Sequence, residues 1–341
     1  MNTIRFPGLG LEFNINPVIT IGNFSIRWYG VIIAIGFLLA VFYTLKKCEM
    51  AKIKQDDLID MLIFTVPISI IGARTYYCVF MFDTLYYYDY AAMFRIWEGG
   101  LAIYGAIIAA VITCIIVCRI KRIRIGAMLD IGALGLLIGQ SIGRWGNFVN
   151  QEAYGQETDS LLRMEIYVAE LGKRACVQPT FLYESVWNAV GFLILHLLYK
   201  KRRFHGEIFL LYTTWYGIGR GVIEGMRSDS LYFFSTGLRV SQFWGFFSAI
   251  IAIGILVYLY LFHERDEEGL PDPYLPKKEK KLKEAAVVGQ AEDLVEDTAA
   301  ESSEDILEIE ESDVEEPEDT TPDNSDEDGD VSTETSEKEE E

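Results

Sequence analysis

Residues 143–155 read Gly-Arg-Trp-Gly-Asn-Phe-Val-Asn-Gln-Glu-Ala-Tyr-Gly, and they follow an uncharged stretch that runs from Ile131 to Ile142. An apolar helix that ends in Arg144, Asn147, Asn150, Gln151 and Glu152 concentrates hydrogen-bonding capacity at one level of the molecule. Arg144, Asn147 and Gln151 fall at i, i+3 and i+7, which places them on one helical face. Gly143 and Gly146 let another backbone or a ligand come close. An arginine with amides at the end of a buried helix suits an anionic ligand such as a phosphate. A capped helix end with a snorkelling arginine is the plainer alternative. The density of polar groups and glycines in this short stretch weighs against it.

Charge divides the chain into two unlike parts. Residues 291–341 hold 25 Asp and Glu and one lysine, Lys338, for a net −24, so the preceding 290 residues carry about +4 of the chain's −20. The acidic segment is rich in Ser and Thr, lacks aromatic residues and cannot bury a core. Residues 263–341 are therefore expected to form a cytoplasmic, disordered acidic tail. The N-terminus lacks the apolar core of a secretory signal, since Arg5 is followed by Pro7 and two glycines, so the first span is expected to be retained.

The rest is apolar and aromatic, with runs long enough to cross a bilayer at about 20 residues each. Residues 1–23 are short, Gly/Pro-punctuated and partly alternating, and read as an extra-membrane turn or small hairpin. Spans are predicted at 24–45, 58–82, 99–118, 126–146, 180–199, 206–226 and 240–262. Tyr86, Tyr87, Tyr88 and Trp97 give residues 83–98 an interfacial composition. Residues 147–178 form a small polar insert. The loops after the first, third and fifth spans each cluster four Lys or Arg: Lys46 and Lys47 onward, Arg119 to Arg124, and Lys200 to Arg203. By the positive-inside rule these loops are cytoplasmic. The expected fold is an all-α integral membrane protein of seven transmembrane helices, with the N-terminus outside and the C-terminus cytoplasmic.

The five cysteines give no disulfide framework: Cys78, Cys114 and Cys118 lie in spans, Cys48 inside and Cys176 alone outside. Cys114 and Cys118 have no histidine near them, which favours packing over a metal site. No metal or cofactor is expected, and no nucleic-acid partner.

The sixth predicted span holds Arg220, Glu224 and Arg227 at i, i+4 and i+7, a single face. Charge inside a membrane faces the bundle interior and pairs with other charges or with a ligand. A structural Arg–Glu lock is the alternative to a ligand site. At about 1.5 Å per residue, Arg220 lies roughly 21 Å from Gly206, and Arg144 and Glu224 lie roughly 27 Å from the starts of their spans. Tyr29 and Tyr104 sit near the outer starts of the first and third spans. Four helices thus bring polar groups to one depth, the outer leaflet.

Gly143-Arg144-Trp145-Gly146-Asn147-Phe148-Val149-Asn150-Gln151-Glu152, then Gly155, resembles the signature of the bacterial prolipoprotein diacylglyceryl transferases. Trp28-Tyr29-Gly30, Pro179-Thr180-Phe181-Leu182-Tyr183-Glu184 and the run from Arg220 to Arg227 resemble that family's other motifs, in the same order. The resemblance covers roughly residues 20–262 and leaves out the acidic tail. It implies transfer of the sn-1,2-diacylglyceryl group of phosphatidylglycerol to the lipobox cysteine thiol of a prolipoprotein, with release of glycerol phosphate. This would be the first step of bacterial lipoprotein maturation, at the outer leaflet of the cytoplasmic membrane. The partners implied are phosphatidylglycerol, prolipoprotein signal peptides and the lipid bilayer.

By this resemblance Arg144 and Arg220 take the phosphate, and Asn147 and Asn150 add hydrogen bonds to the headgroup. Arg227 and Gly155 belong to the same substrate-binding set. Glu152 and Glu224 orient the arginines, and either could take a proton. Tyr29 matches an important tyrosine and Gly155 a substitution-sensitive glycine. Where many members carry histidine, this chain has Tyr104. Its three histidines, His196, His205 and His263, all fall at predicted cytoplasmic ends. Tyr104, with a reference pKa of about 10, is a poor base and is expected to position substrate by hydrogen bonding. Two other classes compete with an enzyme. A transporter or channel would spread polar residues through the full depth of several helices. A scaffold acting through its tail would leave the membrane core exchangeable.

Overall fold

The computed structural model describes residues 2–21, 24–82, 89–168, 171–230, 232 and 237–262. The predicted acidic tail, Tyr86 to Tyr88 and His263 lie outside them. Seven long helices occur among the described residues: α1 Trp28–Ala51, α2 Gln55–Phe80, α3 Ile103–Ile120, α4 Ile125–Asn150, α5 Thr180–Leu198, α6 Glu207–Glu224 and α7 Val240–Phe262. All except α6 are long and apolar enough to cross a membrane. The sixth predicted span is the exception because α6 is 18 residues long and carries Glu207, Arg220 and Glu224. The outward faces are apolar, with Ile63, Ile71, Ile112, Leu193 and Ile250 all exposed. Exposed aliphatic faces on long helices suit hydrocarbon, where each helix satisfies its own backbone groups. The chain is a multi-pass membrane protein.

Small residues set the helix crossings. A Cβ on Gly105 would strike the Gly72 carbonyl, so α2 and α3 approach backbone to backbone. One on Gly245 would come within 2.8 Å of the Gly217 carbonyl, which holds α6 against α7. Without a hydrophobic drive between helices in lipid, such close packing supplies the attraction. Between α5 and α6, Trp187 and Trp215 stack at 4.3 Å, and each indole N–H donates to the other's carbonyl at 3.0 Å. Gly191 and Gly219 leave the space these two rings occupy.

The helices share a common floor. Lys52 ends α1 in the left-handed conformation, and its N–H bonds to Cys48 and Glu49. Cys48, Ile53, Leu58, Cys118, Ile123, Ala127, Leu195, Tyr199 and Ile208 form one buried cluster there. Lys47 lies 5.4 Å from the Tyr199 ring and Arg202 4.0 Å from it, while Lys121 pairs with Asp60 at 2.5 Å. The three basic loops therefore gather at one end. At that end Asp130 of α4 accepts from the N–H groups of Gly206 at 2.9 Å and Phe209 at 3.0 Å. A carboxylate on a helix N-terminus satisfies donors that the helix itself cannot. This contact fixes α4 and α6 side by side from their first turns.

The opposite end carries more β-structure than the turn or small hairpin expected of residues 1–23. Six strands occur among the described residues: β1 Asn2–Phe6, β2 Leu11–Ile15, β3 Val18–Ile21, β4 Phe24–Arg27, β5 Met164–Val168 and β6 Lys173–Val177. One antiparallel sheet has the order β2-β1-β5-β6, and β3 pairs with β4 as a hairpin. Arg5 of β1 faces Glu165 of β5 across the join. Ile4, Phe6, Met164, Ile166, Val168 and Val177 bury one face of the sheet against Phe148, Val149 and Phe181. The polar insert thus sits on the end of α4 and the start of α5. Predicted helix ends shift for the same reason: residues 24–27 belong to β4 and not to the first span, and α4 continues to Asn150.

Candidate active site

Three helices converge at the sheet-covered end. α4 reaches it with its last two turns, α5 with its first and α6 with its last. Glu184, five residues into α5, is 4% exposed and lies between the arginines of the other two. Its Oε2 is 2.5 Å from Nη2 of Arg144, and its Oε1 is 2.9 Å from Nη1 of Arg220. Arg220 also places Nη2 2.7 Å from Oε2 of Glu224. Arg227 stands 4.0 Å from both carboxylates and pairs with Asp229 through two hydrogen bonds of 2.9 and 2.8 Å. Burial alone would raise the Asp229 carboxyl, but the Arg227 fork outweighs it and holds that carboxyl below its ordinary range.

The pairing is close to electroneutral, so the guanidinium groups are desolvated yet compensated. They are not exhausted. Each guanidinium has five N–H donors. Arg220 donates one to Glu184 and pairs ionically with Glu224, and Arg144 pairs ionically with Glu184 and donates one to Asn147 Oδ1 at 3.4 Å. Arg144 is the most open of the three, with 22% of its side chain exposed against 17% for Arg220 and 13% for Arg227.

A second chain of contacts leads outward from Arg144. Asn147 Nδ2 donates to Glu152 Oε1 at 2.9 Å, and Asn150 Nδ2 donates to the same oxygen at 3.4 Å. Glu152 therefore reaches Arg144 only through Asn147, in place of the direct orienting contact expected of it alongside Glu224. The residue that contacts both Arg144 and Arg220 is Glu184, which lies in the Pro179–Glu184 motif and is absent from the expected site residues. Its signal was present: a lone carboxylate in the first turns of an otherwise apolar span.

Gly155 packs where three segments cross. Its N–H donates to the Gln178 carbonyl at 2.9 Å, and it bridges to Arg227. A Cβ there would lie 2.7 Å from Gln178 Cβ and 2.9 Å from the Met226 carbonyl oxygen. The Thr180 hydroxyl donates to the Ala153 carbonyl just before it. Arg239, ahead of α7, donates to the Glu224 carbonyl, and Gln242 donates to that of Gly221 at 2.9 Å. These links fix the end of α6.

Tyr29 of α1 packs against α4, where a Cβ on Gly146, two residues beyond Arg144, would fall 2.7 Å from its ring. Tyr104 does not join. Its ring lies 6.5 Å from Tyr76 on the α2–α3 side, and among the described residues it makes no hydrogen bond to the cluster. The described histidines sit at the basic end: the Tyr43 hydroxyl is 2.6 Å from Nδ1 of His196, and His205 backs onto Gly126.

A family model described as prolipoprotein diacylglyceryl transferase matches residues 16–258. The phosphatidylglycerol–prolipoprotein diacylglyceryl transferase of Listeria monocytogenes serotype 4b is 44% identical over 251 residues, covering 72% of this chain and 90% of that protein. The protein of the same name from Streptococcus pneumoniae strain Hungary19A-6 is 43% identical over 255 residues, covering 72% of this chain and 94% of its own. With the arginine–carboxylate cluster lying inside the matched region, the chain is an enzyme and belongs to the prolipoprotein diacylglyceryl transferase family.

Proposed function

We propose that the protein transfers the diacylglyceryl group of phosphatidylglycerol to the cysteine thiol of a prolipoprotein lipobox. The sulfur attacks the glycerol carbon that bears the phosphate. A C–S bond forms, the C–O bond to phosphate breaks, and glycerol phosphate leaves with the electron pair. The observation that carries this reading is Glu184 bridging Arg144 and Arg220 on three different helices. Guanidinium forks held in advance at one point stabilise the charge that grows on the departing phosphate. Among the carboxylates, Glu184 and Glu224 are buried and engaged with arginines, whereas Glu152 is exposed and held by amides alone. Glu152 is the group that takes the thiol proton in this reading. In this reading Tyr29 supports the signature helix at Gly146, and Tyr104 stands outside the arginine cluster, with any role in it exerted through bound substrate.

The reading places the site at the outer leaflet of the bacterial cytoplasmic membrane, with the basic loops and the acidic tail in the cytoplasm and seven spans between. Clustering of the three basic loops at the end opposite the arginine cluster supports this orientation. Purified full-length protein, given phosphatidylglycerol labelled in its diacylglyceryl part and a lipobox peptide, is expected to label the peptide. Failure to label it, or labelling that does not require the peptide's cysteine, would overturn the proposal.

Two expected results arise here. Arg144→Lys keeps the charge but loses the planar fork, so turnover should fall by more than ~10-fold, or ~1.4 kcal/mol. Steady-state transfer rates check this, and near-normal turnover would remove Arg144 as a bidentate phosphate ligand. A reporter active only outside the membrane should be silent when fused after Lys201 and active when inserted near Thr158. The reverse pattern would invert the orientation and the outer-leaflet site with it.

A further inference from the structure

On α4 the side chains of Gln140, Arg144 and Asn147 fall within about 60° of one another at 100° per residue, and Gln151, the residue that caps the helix, continues this polar run outward. Its deep end is Gln140, whose Nε2 donates to the Tyr212 hydroxyl at 2.9 Å. Its outer end is Gln151. Each end keeps one buried amide atom with no hydrogen-bond partner among the described residues: Oε1 of Gln140 and Nε2 of Gln151. Buried polar atoms without partners are rare, and at a binding site a ligand is the natural partner.

Gln151 has a second peculiarity. It occupies the left-handed region at φ +54°, as does Ala153 at +56°, so strained backbone flanks Glu152 on both sides. Its N–H already bonds to Asn147 and Phe148 as the cap of α4. Glycine would perform that backbone role without strain. Local structure therefore does not account for the glutamine side chain.

We propose that Gln151 is a specificity-determining residue whose Nε2 donates to a hydroxyl oxygen of the terminal glycerol of the phosphatidylglycerol headgroup. The proposal rests on the reading of the site given above. With the phosphate at Arg144, the terminal glycerol extends toward the aqueous side, which is the direction in which α4 runs on to Gln151. Gln151 follows Arg144 by seven residues, roughly 10 Å along the axis. The Arg144 guanidinium reaches to Asn147, 3.4 Å from its Oδ1, which shortens that separation. Nε2 of Gln151 is a neutral donor, so it suits a neutral hydroxyl oxygen, while the charge of the phosphate is met by the guanidinium groups.

The test uses the full chain with Gln151→Gly and Gln151→Asn. Glycine, and to a lesser degree asparagine, tolerates the left-handed backbone, so neither should unfold the protein. The KM for phosphatidylglycerol should rise about three- to tenfold, the loss of one hydrogen bond, with kcat little changed. Inhibition by phosphatidic acid, which has the phosphate but no terminal glycerol, should not shift, and thermal stability should hold or rise in the glycine variant. An unchanged KM would overturn the proposal. So would a KM increase matched by an equal loss of phosphatidic acid inhibition, or one accompanied by loss of stability. Failure of the underlying reading would look different, because the wild type itself would not use phosphatidylglycerol.

Discussion

Glu184→Gln is expected to lower transfer by about 100-fold or more, equivalent to ~2.7 kcal/mol or more of transition-state stabilisation. The carboxylate directs one oxygen at Arg144 and the other at Arg220. An amide has only one acceptor oxygen, so whichever way it turns, its NH2 faces a guanidinium. One arginine then loses its partner in a largely buried setting. Removing one member of a buried ion pair is strongly destabilising, by about 3–5 kcal/mol, because the other charge is left uncompensated. Some of that loss will appear as misplacement of the arginines and some as lower stability. Measuring kcat, KM and the thermal midpoint on the same preparation separates the two. Glu184→Asp, which keeps the charge but shortens the side chain by one methylene, should recover part of the rate by retaining one ion pair. A Glu184→Gln protein with wild-type kcat would show that the bridge does not prepare the arginines for phosphate.

The bundle was legible because each apolar run is long and bounded by charge. α7 matches its predicted limits, 240–262, since nothing near its ends competes with hydrophobic length. α1 overran its expected stop at Lys46–Lys47 because those side chains rest over the Phe42 and Tyr43 rings while the helix continues to Ala51. The sheet was only half legible. The alternation of Met164, Ile166 and Val168 is a strand pattern, but its partner β1 lies almost 160 residues away, and no local signal announces that pairing. The arginines and Glu224 could be read from their spacing on one helix face. The role of Glu184 could not, because it arises where α5 crosses between two helices, and spacing within one helix says nothing about its neighbours. Tyr104 shows the opposite case: its depth suited the site, yet its contact is with Tyr76 on α2.

Gly155→Ala is expected to reduce activity by roughly 100-fold (about 2.7 kcal/mol) and to lower thermal stability with it. The resemblance placed this glycine in the substrate-binding set, but its surroundings are protein. An added methyl would meet Gln178 Cβ at 2.7 Å, Met226 O at 2.9 Å and Thr180 Cγ2 at 3.1 Å. Two of the three belong to segments locked by backbone hydrogen bonds: Gly155 to Gln178, Gln156 to Met226 and Gln178 back to Gln156, each at 2.9–3.0 Å. A methyl forced into such a packed junction costs about 1–3 kcal/mol. Relief requires the end of α4, the start of α5 and the end of α6 to separate. Those segments carry Glu152, Glu184 and Arg227, so a shift of less than 1 Å would disturb the arrangement around the phosphate, where small misplacements lower rates steeply. Loss of kcat together with a lower thermal midpoint is the expected result. A rise in KM alone, with kcat and the midpoint unchanged, would instead place substrate against Gly155, and the close approach to Gln178 and Met226 would have to open when lipid binds.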